Sequence, residues 1–123
     1  MNLITNTIEK TVDETMTAKA LGSGTLEVLG TPALIALMEE TCWRSVDGEF
    51  GEGKSTVGTR IEIKHLAPTA LGGKIRCESE LTEENPKRLI FTVKAYDENG
   101  LIGEGVHERA VVDNARFLER LGE

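Results

Sequence analysis

Glu39 is a carboxylate placed among apolar neighbours. On a wheel of about 100° per residue, the stretch from Thr31 to Val46 puts Pro32, Leu34, Ile35, Ala36, Met38, Cys42, Trp43 and Val46 on one broad arc, with Glu39 in its middle. Glu40, Arg44 and Asp47 gather on the opposite side, where Glu40 and Arg44 have the i,i+4 spacing of an exposed ion pair. An unpaired carboxylate is costly to bury, so Glu39 marks a partnered contact or a group with chemistry to perform. His65 repeats the anomaly on a strand, sharing a face with Val57, Ile61 and Ile63. A carboxylate and an imidazole on facing apolar surfaces are a pair suited to nucleophilic or general acid–base work. Thr31 is the third candidate. Its bland role is to cap the helix, but the free N–H groups and positive dipole end there also suit negative charge developing on a reacting carbonyl. Thr31 and Glu39 lie about 12 Å apart along the helix axis and cannot touch. Either a long substrate or a partner subunit brings such groups together, or their roles act at different points.

The elements that position these residues follow from local signals. Gly30-Thr31-Pro32 reads as a helix start, with Thr31 as N-cap and Pro32 at the first helical position. Gly48, Gly51 and Gly53 end the helix near Val46 or Asp47. Residues 13–21 (DETMTAKAL) read as a first strand, and Gly22-Ser23-Gly24 as a flexible break after it. From Lys54 to Asp113 the chain alternates with the period of half-buried strands, first through Val57, Thr59, Ile61, Ile63 and His65, then through Ile75, Cys77, Ser79 and Leu81. Glu83 to Lys87 is a turn, Leu89 to Tyr96 a strand, Asp97-Glu98-Asn99-Gly100 a hairpin turn and Leu101 to Val112 the last strand. Asp113 or Asn114 caps a short helix over Ala115 to Leu121. The expected fold is α+β, a single domain over residues 1–123 in which a curved antiparallel sheet wraps one long helix.

Composition removes several functions. A net charge of -7 with no run of Lys or Arg, and only 4% aromatic residues, argues against nucleic acid. The longest apolar run, Pro32 to Met38, is far too short to span a membrane, and the N-terminus has no leader pattern, so a cytoplasmic protein is expected. Cys42 and Cys77 lack metal-ligand spacing and read as buried small hydrophobes. Of the cluster His107, Glu108 and Arg109, Glu108 shares a face with Val106, Ala110 and Val112, while His107 and Arg109 point the other way with Val111. A structural ion pair or an interface contact is the expected role there.

Three blocks, GTPALIALMEETCWRSV, GEGKSTVGTRIEIKHLAPTALGG and IGEGVHERAVVD, together resemble the hotdog-fold acyl-CoA thioesterases, most closely the fluoroacetyl-CoA thioesterase-like branch. The resemblance covers roughly residues 10 to 120. It implies a hotdog fold that pairs through its sheets into a homodimer with active sites at the interface. It places the catalytic threonine, glutamate and histidine on Thr31, Glu39 and His65. It also implies substrate contacts at Gly30 and Gly58, and a glycine within a strand suits close backbone approach by a ligand. The Phe-bearing lid of the fluoroacetyl-specific enzyme is replaced here by ALGSGTLEVLG, so selectivity for fluoroacetyl groups is not implied and a broader or different short-chain acyl group is expected.

The implied reaction is hydrolysis of an acyl-CoA thioester to a carboxylate and CoA, with Glu39 as nucleophile or general base, His65 moving a proton or orienting water, and Thr31 positioning the carbonyl or the carboxylate. No metal or redox cofactor is required, because thioester cleavage needs a placed nucleophile and a polarised carbonyl. Lys64, Lys74 and Arg76 are the candidates for the CoA phosphates. The alternative is a non-catalytic acyl-CoA or small-ligand binding module on the same fold, which thiol release distinguishes.

Overall fold

The alternating stretches that follow the helix form four strands, and a fifth precedes it. A computed structural model describes residues 4–122. In chain order the elements are β1 (Thr5–Thr11), a 3-10 turn (Glu14–Met16), α1 (Ala18–Leu21), α2 (Thr31–Ser45), β2 (Lys54–His65), β3 (Lys74–Glu84), β4 (Arg88–Asp97), β5 (Gly100–Asp113) and α3 (Asn114–Glu119). The strands make one antiparallel sheet in the order β1-β3-β4-β5-β2, leaving β1 and β2 as its edges. The sheet wraps α2, which packs against all five strands. This is the expected α+β layout.

Two expectations about the elements need correction. The first strand is Thr5–Thr11, whose register runs from Thr5 opposite Glu80 to Thr11 opposite Lys74, and residues 13–21 are not a strand. Asp13 accepts the Thr15 N–H at 2.9 Å, Thr17 Oγ1 accepts the Ala20 N–H at 3.1 Å, and Gly22 closes α1 with a φ of 72°. Side chains that capture backbone N–H groups in this way wind a segment into short helical turns. The second correction is on β2. Its register against β5 slips between Gly58 and Arg60, a β-bulge that reverses the faces on either side of it. Val57, opposite Ala110, leaves the face of Ile61, Ile63 and His65, and Gly58, opposite Arg109, takes its place.

The core lies between α2 and the inner sheet face. Leu34, Leu37, Met38, Thr41 and Cys42 of α2 are buried against Ile75, Cys77, Leu89, Phe91, Val93, Ala95 and Ile102. Each large apolar side chain removed from water contributes about 1.5–3 kcal/mol. The buried arc of α2 is rotated from the expected one, because Pro32 and Ala36 are exposed while Leu37 and Thr41 are buried. Glu39 therefore stands half-buried at the rim of the arc and not in its middle. On the opposite side Glu40 accepts from Arg44 at 2.8 Å and from Lys10 at 3.0 Å, which ties the polar face of α2 to β1. At the other end of the chain, Asp113 caps α3 by accepting the Arg116 N–H at 3.1 Å. Among the described residues no helix is long and apolar enough to cross a membrane.

Candidate active site

The start of α2 frees Thr31 from capping. Gly30 is the N-cap: its carbonyl accepts from the N–H groups of Ala33 and Leu34 at 3.0 and 3.1 Å, and no side chain caps the helix. Thr31 is thus a first-turn residue, not the expected cap. Its hydroxyl lies 2.8 Å from His65 Nδ1, joining the first turn of α2 to the end of β2. Gly30 has a packing reason to be glycine, since an added Cβ would come within 3.0 Å of the Ala18 backbone. Its N–H is spent on the Met16 carbonyl at 2.8 Å.

His65 is half-buried, and that burial lowers its pKa from the ordinary histidine value. Its Nε2 is a buried side-chain atom with no hydrogen-bond partner among the described residues. With Nδ1 on Thr31, Nε2 is the nitrogen left to exchange a proton with a ligand.

Glu39, two turns further along α2, sits in a different set of contacts. Among the described residues its carboxylate makes no ion pair or side-chain hydrogen bond of its own. A Cβ added at Gly58 would lie 3.0 Å from Glu39 Oε2, 3.2 Å from His107 Cε1 and 3.4 Å from Arg109 Nη1. The absent side chain of Gly58 therefore leaves a point about which a carboxylate, an imidazole and a guanidinium converge. Arg109 is 7% exposed and held from two strands: Nε donates to Thr56 Oγ1 at 2.8 Å, Nη2 to the Thr56 carbonyl at 2.9 Å, and Nη1 to His107 Nε2 at 3.0 Å. Beside it a pocket of about 290 Å³ opens at the end of α2, walled by Trp43, Val46 and Phe50 with Thr56 and Arg109 on its polar side.

The structure therefore brings Thr31 and His65 together, and Glu39 together with Gly58, as two separate constellations on one α2. The first offers a proton carrier and a hydroxyl. The second offers an unpaired carboxylate beside hydrogen-bond donors, the components for attack on a polarised carbonyl. His107 and Arg109 were expected in a structural or interface role, yet they line the Glu39 constellation. Their signal was the one that marked His65, a polar side chain on the inward face of a strand. Glu108 on the outer face instead accepts from Arg60 at 3.1 Å. Of the three candidates for the CoA phosphates, Lys64 shares the strand of Gly58 and His65, whereas Lys74 and Arg76 lie on β3, beyond β5 and β4. Arg76 is also engaged, by Glu78 at 2.9 Å and by stacking on Tyr96.

Residues 12–115 match the model of a protein family described as fluoroacetyl-CoA-specific thioesterase. This chain belongs to that family. The matched range takes in both constellations and strands β2 to β5. A fluoroacetyl-CoA thioesterase of Streptantibioticus cattleyicolor is 35% identical over 91 residues, which make up 74% of this chain and 66% of that relative. A solved variant of a fluoroacetyl-CoA-specific thioesterase superposes with a TM-score of 0.91 at 29% identity, covering 98% of this chain and 95% of the other. Another, in complex with fluoroacetate and CoA, gives a TM-score of 0.87 at 30% identity, covering 92% and 95% of the two chains. A hot-dog-like protein from Thermanaerovibrio acidaminovorans gives a TM-score of 0.87 at 26% identity, covering 95% and 87%. The curved sheet around α2 is a hotdog fold.

Proposed function

We propose that this chain hydrolyses the thioester of a short acyl-CoA, RCO–S–CoA, with water to RCOO⁻, a proton and CoA thiol. The observation that carries the reading is the Glu39 carboxylate beside Gly58 and the Arg109 guanidinium, in a chain of the fluoroacetyl-CoA-specific thioesterase family. The thioester carbonyl enters beside Gly58. Glu39 attacks its carbon and expels the CoA thiolate, forming an anhydride that water then opens, or it takes the proton of a water that attacks in its place, while nearby N–H groups hold the oxygen as it gains charge. His65 passes the departing thiolate a proton and recovers it from the water consumed, and Thr31 fixes the imidazole through Nδ1. These steps call on no metal or redox cofactor. The small pocket beside Trp43 and Phe50 favours a short acyl group. A panel of acyl-CoAs with a thiol-reactive dye tests this reading: thiol release from a short acyl-CoA is expected, and binding without release would make the chain a carrier. An ¹⁸O label found in Glu39 after one turnover in labelled water marks direct attack.

The separation of Glu39 from the Thr31–His65 pair supports a homodimer with its sites at the interface. β2 is a long edge strand that carries both Gly58 and His65 and presents unpaired backbone groups along one side. Pairing two β2 edges across a two-fold axis brings Glu39 of one protomer toward Thr31 and His65 of the other. Mixing Glu39→Gln and His65→Ala protomers tests this geometry. A mixed dimer with shared sites holds one intact site and recovers part of the wild-type rate. Sites confined to one protomer give no recovery.

A further inference from the structure

We infer that His107 is a positioning residue for the proposed hydrolysis, a neutral imidazole whose Nε2 aims the Arg109 guanidinium at the space beside Gly58 and Glu39. The inference rests on the proposed thioester hydrolysis. Its geometry is independent of that reading.

His107 Nδ1 lies 2.8 Å from the Arg60 carbonyl, which can only accept, so Nδ1 carries the proton. Nε2 lies 3.0 Å from Arg109 Nη1, which can only donate, so Nε2 is the bare nitrogen. The two contacts together admit one species, the neutral Nδ1–H tautomer. The ring has little freedom to turn, being 1% exposed and stacked on Phe91 with centroids 6.3 Å apart. β4 and the bulged segment of β2 thus fix the imidazole, and the imidazole fixes Arg109.

What Arg109 gains is a direction. A guanidinium has five N–H donors, of which Thr56 takes two and His107 one, leaving one on each terminal nitrogen. Nη1 is the nitrogen that faces the vacant side-chain position of Gly58, across which Glu39 Oε2 lies. Without the acceptor at His107 Nε2, the same guanidinium has an unmatched donor and a charged neighbour in Glu39. It then swings toward the carboxylate and closes the space with an ion pair. In this arrangement His107 keeps the cation and the carboxylate apart and ready for a ligand.

Protonation of His107 reverses this. Burial holds its pKa below the ordinary value, the Arg109 charge lowers it further, and Glu39 on α2 and Glu108 on β5 act in the opposite sense. The Arg60 carbonyl hydrogen bond also raises it. An added proton occupies Nε2 and sets two cations face to face.

The test compares His107→Phe, which keeps a flat ring against Phe91 and removes the acceptor, with His107→Gln, whose amide oxygen can accept from Arg109 near the position of Nε2. For a short acyl-CoA hydrolysed by the wild type, His107→Phe is expected to lower kcat about 10- to 100-fold with little change in KM, and His107→Gln to restore most of it. The ¹⁵N signals of the Arg109 Nη groups are read in the same proteins. They are expected to be resolved in the wild type and in His107→Gln, and averaged by rotation or shifted into an ion-pair pattern in His107→Phe. A His107→Phe protein that keeps wild-type kcat, or one whose Arg109 signals match the wild type, overturns the inference. A wild type that releases no thiol from any acyl-CoA overturns the proposed function instead, and the Arg109 signals then decide the role of His107 alone.

Discussion

Gly58→Ala is the smallest change that probes the Glu39 constellation. Gly58 is not among the glycines with positive φ, so alanine meets no backbone strain there. The new Cβ would nevertheless lie 3.0 Å from Glu39 Oε2 and 3.2 Å from His107 Cε1. His107 is buried and held through both ring nitrogens, so the half-buried Glu39 side chain is the group that yields, by a few tenths of an ångström. A misplacement near 1 Å costs about 100-fold in rate, so a shift of a few tenths of an ångström together with a filled void lowers kcat/KM about 10- to 100-fold, or about 1.4–2.7 kcal/mol of activation free energy. Overpacking at a site with one yielding neighbour costs stability only about 1 kcal/mol. The assay is thiol release from a short acyl-CoA, paired with a thermal melt. Thr59→Ala, at the bulge next to Gly58, is the control and should leave the rate unchanged. A folded Gly58→Ala protein with wild-type kcat/KM would refute the idea that a reacting group occupies the space beside Gly58.

Three other outcomes follow from the same contacts. Thr31→Val removes the 2.8 Å contact to His65 Nδ1 at an exposed position, so stability should change by less than about 1 kcal/mol while kcat falls, and Thr31→Ser should retain most of the rate. Mixed dimers of Glu39→Gln and His65→Ala should regain activity that neither parent has, as measured by thiol release after subunit exchange. Stability should decline in acid: both histidines have folded-state pKa values below the ordinary value, chiefly through burial, so the unfolded chain binds protons first as pH falls. Denaturant midpoints should therefore drop as pH is lowered from 7 through the ordinary histidine range, and His65→Ala should flatten that dependence in part.

Much of the fold was legible because the strands after residue 54 have one wet and one buried face, which writes their period into the sequence. Ile75, Cys77 and Ser79 are buried as their alternation requires. β1 was missed because only Ile8 of TNTIEKT packs on the core, and the more apolar DETMTAKAL is drawn into helical turns by the Asp13 and Thr17 side chains. The bulge at Gly58 was invisible to a period-two pattern. It moved Val57 off the inner face and put Gly58 on it, something that spacing along an unbroken strand would have denied. Glu39 and His65 were legible as polar groups on apolar elements and Thr31 as a hydroxyl at the helix start, while the division into two constellations required the real orientation of α2. His107 and Arg109 carried the same face signal. Pairs of opposite or like charge on strands are so often surface contacts that alternation by itself gave them little weight.

The most direct test of the central claim is the rate of thiol release by wild type and Glu39→Gln on the same short acyl-CoA panel, with binding of a non-hydrolysable thioether analogue measured in parallel. Glutamine keeps the size of the side chain and removes its charge and basicity. The wild type is expected to release CoA, and Glu39→Gln to be about 10²- to 10⁴-fold slower while still binding the analogue. Equal rates in the two proteins would show that the carboxylate at the rim of α2 does no chemistry.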